Sequence, residues 1–172
     1  MKRNQPENIN RLLENKFLVT FDRIPTTTYF CDQVTMPGIY TDNPIYPTQG
    51  KNIPLAGSKM EAEEFVMRFK VDEDVLSWEE IYNWIRGYST PSTHKEYVNM
   101  KKKVNTEGRL PAYSDAVVSI LTNTNHPNIR VIYKDIFPVK LSSLQFDSTT
   151  GNSSELLATA YFRYSDFTIM RD

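Results

Sequence analysis

Two histidines, one cysteine and a run of three carboxylates are the side chains best suited to metal or proton-transfer chemistry in this sequence. Cys31 is the only cysteine among 172 residues. A zinc site built from Cys and His at the usual spacings is therefore excluded. No disulfide can close within the chain, and a reducing compartment is the natural expectation. Cys31 lies in an apolar-rich segment, where a lone cysteine reads as a small buried side chain. His94 and His126 sit in different local settings, and His126, followed by Pro127, reads as an exposed turn residue. Asp72, Glu73 and Asp74 could suggest a cation site, but the glycine and closing glutamate of a calcium loop are missing. The three acids directly precede a helix start at Ser77, where carboxylates favour the positive end of the helix dipole. No glycine-rich phosphate loop and no nucleophile elbow occur. The expectation is a chain that is not an enzyme and uses no cofactor or metal.

Two stretches bear on nucleic acid. Lys101, Lys102 and Lys103 follow Lys95, and Arg163 stands among Tyr161, Phe162 and Tyr164. A basic run at a helix end reads as solvated, and aromatics on a strand read as core rather than as a base-stacking surface. Formal net charge is −1, which excludes a generalised cationic surface. Nothing resembles a transmembrane helix, and the polar opening MKRNQPENINRLLENK is unlike a secretory signal. No membrane insertion by this chain is expected.

The elements around these residues are mostly strands. Segment 16–23 puts Phe17, Val19 and Phe21 on one face, and 64–72 alternates Phe65, Met67, Phe69 and Val71 against Glu64, Arg68, Lys70 and Asp72. Further strands are expected at 29–35, 115–122, 129–136 and 156–170. Alternation with one polar face marks antiparallel sheets. TNTNHPN at 122–128 predicts a hairpin turn. In the last segment the apolar parity runs through Leu156, Ala158, Ala160, Phe162 and Tyr164, then switches beyond Asp166 to Phe167 and Ile169. Such a switch means a bulge or a passage between sheets. One amphipathic helix is expected at 77–87. Ser77 and Glu80 would form its capping box, Trp78, Ile81, Tyr82 and Ile85 its apolar face, and Gly87 its stop. A second helix is possible at 93–104. The fold class is mainly β: an antiparallel barrel or sandwich with one flanking helix and a long extended arm between strands. The chain length suits one domain, 1–172, with an N-terminal extension at 1–15.

The arm, 36–62, begins MPGIYTDNPIYPTQGKNIPLAG. Pro37, Pro44, Pro47 and Pro54, with Gly38, Gly50 and Gly57, exclude a helix. A disordered linker would lack large apolar residues, yet Ile39, Tyr40, Ile45, Tyr46, Ile53 and Leu55 recur here. A long loop of this composition is expected to be functional and to pack on a partner.

At this point the sequence resembles the tail tube family of contractile-tailed bacteriophages, which is related to the tube protein of type VI secretion. The resemblance rests on NKFLVTFDRIP, YFCDQVTMPGI, IPLAGSKM before EFVMRFKVDED and the Trp-containing helix, then IRVIYKDIFPVKLSSLQFD and ELLATAYFRYSDF. It spans residues 15 to 170. It implies a structural virion protein forming hexameric rings that stack into a hollow tube conducting DNA into the host. Partners would be copies of itself and the sheath, baseplate and tail terminator proteins. DNA would pass the lumen without specific binding, and the location would be the virion tail, assembled in the host cytoplasm. Met36, Pro37 and Gly38 would turn the arm outward. Ile39, Tyr40, Ile45, Tyr46, Ile53, Pro54, Leu55 and Gly57 would supply its contacts to a neighbouring subunit or ring. A tube initiator, completion or terminator protein of the same fold is the alternative. A monomeric β-barrel binding module using Tyr40 and Tyr46 as a ligand platform is the rival from another class.

Overall fold

The computed structural model describes residues 10–91, 98, 112–149 and 155–171. In chain order the first elements are β1 (Phe17–Phe21), α1 (Pro25–Tyr29), β2 (Cys31–Thr35), β3 (Ile39–Thr41), β4 (Ile45–Thr48), β5 (Lys51–Pro54) and β6 (Met60–Ala62). Then come β7 (Phe65–Lys70), α2 (Leu76–Ser89), β8 (Ser114–Leu121), β9 (Pro127–Leu141), β10 (Leu157–Arg163) and β11 (Asp166–Arg171). The possible helix at 93–104, with His94 and the lysine run, lies outside the described residues apart from Val98.

Seven strands pair antiparallel in the order β1-β8-β9-β10-β7-β2, and β11 also pairs with β9. The long strand β9 organises them. Its first half pairs with β8 and β11, its second half with β10. Buried positions along β9 are Val131 and Tyr133, then Ile136 and Pro138. The parity slips at Asp135, whose φ of 52° is left-handed. One residue of bulge therefore turns the strand from one layer into the other. The β10–β11 segment does the same opposite it, with the expected parity switch falling at the break between Arg163 and Asp166. The result is a sandwich rather than a closed barrel, because β1 and β2 end the strand order and do not pair with each other.

Between the layers the inward residues of each alternating strand meet. Phe21 and Phe162 approach to 5.3 Å between ring centroids, and Phe65 and Tyr133 to 4.9 Å. Phe65, Met67, Phe69, Ala158, Ala160 and Phe162 are all buried, as the alternation of β7 and β10 predicts. Helix α2 sets Ile81 and Trp84 onto this cluster.

The ends of α2 differ from expectation. The helix starts one residue earlier than expected, and Ser77 is buried in its first turn, so no Ser77–Glu80 box forms. Asp72 caps it instead, accepting the amides of Leu76 at 3.0 Å and Ser77 at 2.7 Å and the Ser77 hydroxyl at 2.5 Å. An ionised acceptor makes the stronger bond. Glu80 is thereby free to reach across to α1. Its carboxylate accepts the Thr26 and Thr27 amides at 3.3 and 3.0 Å and the Thr27 hydroxyl at 3.0 Å. These bonds hold PTTTY as a short helix between β1 and β2. Gly87 does not stop α2; it is buried within it, and the helix ends at Ser89. The stop is Pro91, which pushes Thr90 (φ −143°) out of the helical region.

Asp72 yields a pH-dependent expectation. Burial alone would raise its carboxyl, but the Ser77 hydroxyl and the two amides outweigh that and hold it below its usual value. Its contribution is then complete above the unfolded carboxylate's pKa of about 4 and disappears as pH falls through the lower native value. Asp72→Ala should cost about 1–2 kcal/mol at neutral pH. Urea melts at pH 7 and in strong acid should show that gap closing; an equal gap at both would remove the cap from the account.

Candidate assembly surface

The arm leaves the sandwich between β2 and β7 and returns on itself. β3 pairs with β6 and β4 with β5, so the arm is a two-storey ribbon rather than a single extended segment. Its tip is the turn at Gln49 and Gly50, where Gly50 has φ +97°, a backbone that L side chains rarely adopt. Pro47 and Pro54 lie within the tip strands opposite Asn52 and Ile45. Proline is tolerated there because both strands of a two-stranded ribbon are edges.

The storeys meet where Asp42 bonds Lys59 and Pro44 bonds Leu55. One residue on the first side faces three on the other, and the chain must pass close to itself. A Cβ at Gly57 would stand 1.8 Å from the Asp42 carbonyl oxygen, so only glycine fits. At the base, Gly38 and Glu63 are joined through backbone and carboxylate, and the Tyr164 hydroxyl donates to the Glu63 carbonyl.

Every residue from 38 to 63 is exposed except Gly57. Ile45 is 61% exposed, Tyr46 59%, and Met60, which was not singled out from sequence, 64%. The register puts Ile45 and Pro54 on one face of the tip and Tyr46 and Ile53 on the other. Neither face is covered by this chain's own sandwich. The structure thus brings all the sequence-selected residues from Gly38 to Gly57 onto one projecting ribbon, with Met36 and Pro37 at its root.

A second surface lies where the sandwich stays open. A cleft of about 800 Å³ separates the β1 edge from the β2 edge. Phe17, Leu18 and Val19 line one wall, Cys31 to Val34 the other, and Thr28 and Tyr29 of α1 also contribute. Leu18 is 58% exposed and Tyr29 84%. Burial pushes the Cys31 thiol up to about 11, so at neutral pH it remains an unreactive SH. Sequence reading missed this seam because it is defined by a pairing that does not form, and no local pattern encodes that.

The outer face of β7 and β10 is charged but paired. Arg68 meets Asp32 at 2.7 Å, Arg163 meets Glu64 at 3.3 Å and Lys70 meets Glu155 at 2.5 Å. Phe162 is buried and Tyr161 half-buried, in keeping with a core-forming strand rather than a stacking platform. Among the described residues no group of His, Cys, Asp and Glu is placed to hold a metal ion, and no helix is long and apolar enough to cross a membrane.

No family model matches the chain. It is 27% identical over 171 residues to the tail tube terminator protein of Enterobacteria phage T4, covering 95% of this chain and 91% of that one. Among solved structures it matches a chain of the anti-feeding prophage baseplate at a TM-score of 0.61 and 15% identity, over 94% of this chain and 97% of that one. It matches a chain of the anti-feeding prophage tube-terminating cap at 0.60 and 14%, over 100% and 99%. A chain of an extracellular contractile injection system's sheath–tube complex follows at 0.58 and 13%, over 95% and 94%. These low-identity matches carry the fold. With the sequence relative they bear out the likeness to tail tube proteins read from residues 15 to 170. By their names these proteins belong to a phage tail tube, an anti-feeding prophage and an extracellular contractile injection system.

Proposed function

We propose that the chain is a tube-type subunit that forms the ring terminating a phage tail tube. The near end-to-end match to a tail tube terminator carries this reading. In it, residues 1–172 act as one tail-tube-like domain, six copies close a ring, and the ring stacks on the tube through surfaces shared with the main tube subunit. Sheath, baseplate and other terminator proteins are its neighbours in a virion tail assembled in the host cytoplasm.

Two features of the surface support it. The projecting ribbon and the open seam are different patches, and a contact between unlike patches repeats head to tail, closing into a ring when the rotation allows. DNA crossing the lumen must not stick, and each free Lys or Arg would add phosphate affinity. The β7–β10 face, with its cations matched to Asp32, Glu64 and Glu155, suits a lumen wall in that respect.

The test is light scattering of the purified chain with negative-stain microscopy, alone and mixed with tail tubes of its own phage. Single rings with the mass of six 20.0 kDa chains, seated at tube ends, are expected. Unlimited tubes from this chain alone would make it the main tube subunit. A monomer indifferent to tube ends would point to the binding-module reading and overturn the proposal.

A further inference from the structure

The ribbon shows what needs covering, and the seam is a place that could cover it. Just before β1 the Lys16 carbonyl accepts the Leu121 amide at 2.9 Å. Antiparallel pairing alternates along a strand, and Phe17 pairs with Ile120 in register. The backbone groups of Phe17, Val19 and Phe21 therefore point away from β8, toward the open edge. Such an edge is a template for another strand. β2 likewise pairs only with β7 and leaves its other side to the seam.

The chemistry of the two surfaces is complementary. The seam exposes Leu18 and Tyr29 in a mixed lining where Phe17, Val19 and Val34 stand beside Asn15, Thr28 and Gln33, and the tip offers Ile45, Tyr46, Ile53 and Leu55. Three charged residues line the seam, Glu14, Asp32 and Arg68, leaving one negative charge in excess. Between residues 43 and 56 the tip carries one charge, Lys51. The tip strands also have unpaired outer edges, since each pairs only with the other. The chain's own tip lines no part of its seam.

We infer that the seam between β1 and β2 receives the β4–β5 tip of a second copy, which adds strand pairing to the open edge and buries Ile45, Tyr46, Ile53 and Leu55 against Leu18 and Tyr29. This assignment rests on the ring reading above and names the receiving site within it. Lys51 approaches Glu14 at the seam's rim, the Asp32 carboxylate being already matched by Arg68. The neighbour's ribbon then supplies the closure that the sandwich lacks on its own.

The experiment uses the full chain carrying Cys31→Ser. One batch adds Leu18→Cys or Gln33→Cys at the seam, another Tyr46→Cys or Ile53→Cys at the tip. All four positions are exposed, so thermal melts matching the parent are expected. Mixed batches are oxidised mildly while light scattering follows ring formation. A disulfide needs Cα atoms within about 7 Å, and thiols held together in a complex meet at millimolar effective concentration. Seam–tip heterodimers should therefore exceed a Thr124→Cys control, on the β8–β9 turn, by about tenfold or more. Rings with seam–tip yields no higher than the control would overturn this placement and leave the terminator reading intact. Absence of any oligomer, with or without tube ends, would overturn both.

Discussion

Replacing residues 44–55 with a two-residue Asn-Gly turn is expected to leave the fold unchanged and abolish assembly. The cut is in register: Pro44 and Leu55 are bonded to each other, and the crossing of Asp42 with Gly57 and Lys59 lies below it. All twelve removed residues are exposed and none belongs to the core. Surface changes of this kind usually move stability by about 0.5 kcal/mol or less, so the thermal midpoint should match the parent. Association is another matter. Ile45, Tyr46, Ile53 and Leu55 together take four large apolar side chains with them. Full burial of one such side chain is worth about 1.5–3 kcal/mol. Only part of that survives the cost of ordering two partners, yet even about 4 kcal/mol is roughly a thousandfold in affinity. Light scattering and microscopy should find a folded monomer at concentrations where the parent forms rings. Rings of normal size from the shortened chain would show that assembly proceeds through other surfaces.

What could be read from the sequence follows the range of the interactions involved. The inward faces of β1, β7 and β10, the β8–β9 hairpin and the switch after Arg163 are all set by periodicity and turn chemistry within a few residues. Those features were legible. The arm was legible as an exposed apolar segment, but its self-pairing was hidden behind its prolines. Pro47 and Pro54 argue against a central strand and are neutral in a ribbon that has only edges. The TQG at 48–50 was the overlooked signal for its turn. Helix α1 was not legible at all. Three threonines in a row are poor helix formers, and what holds them is the Glu80 carboxylate from a helix fifty-odd positions later. The wrong cap has a local cause instead: Ser77 looked like a cap only while Asp72, five positions before it, was taken as a dipole charge rather than a hydrogen-bond acceptor. The seam lies furthest from local pattern, because it depends on two strand ends that fail to meet.

Trp84→Ala should be the most damaging single substitution in the helix, and its cost has three separable parts. The side chain is 2% exposed, and its ring centroid lies 6.2 Å from that of Phe162. Truncating a buried tryptophan to alanine costs about 3–5 kcal/mol through lost transfer energy and the cavity left behind. The indole N–H also donates to the Ala112 carbonyl at 2.8 Å, which ties α2 to the segment leading into β8. Finally, the Arg23 guanidinium sits 4.8 Å from the ring centre and is only 5% exposed. Burial lowers its pKa to about 10, so it remains charged at neutral pH and loses a cation–π partner when the indole goes. Trp84→Phe keeps most of the apolar surface and an aromatic face for Arg23 but gives up the N–H, and should cost about 1–2 kcal/mol. For a chain of this size each kcal/mol lowers the midpoint by about 2–4 °C, so the alanine variant should melt roughly 10 °C or more below the parent. Melts of the two variants beside the parent therefore rank the parts. A phenylalanine variant as unstable as the alanine one would assign the cost to the Ala112 hydrogen bond; a loss under about 1 kcal/mol in both would mean that α2 is not seated on the Phe162 cluster as described.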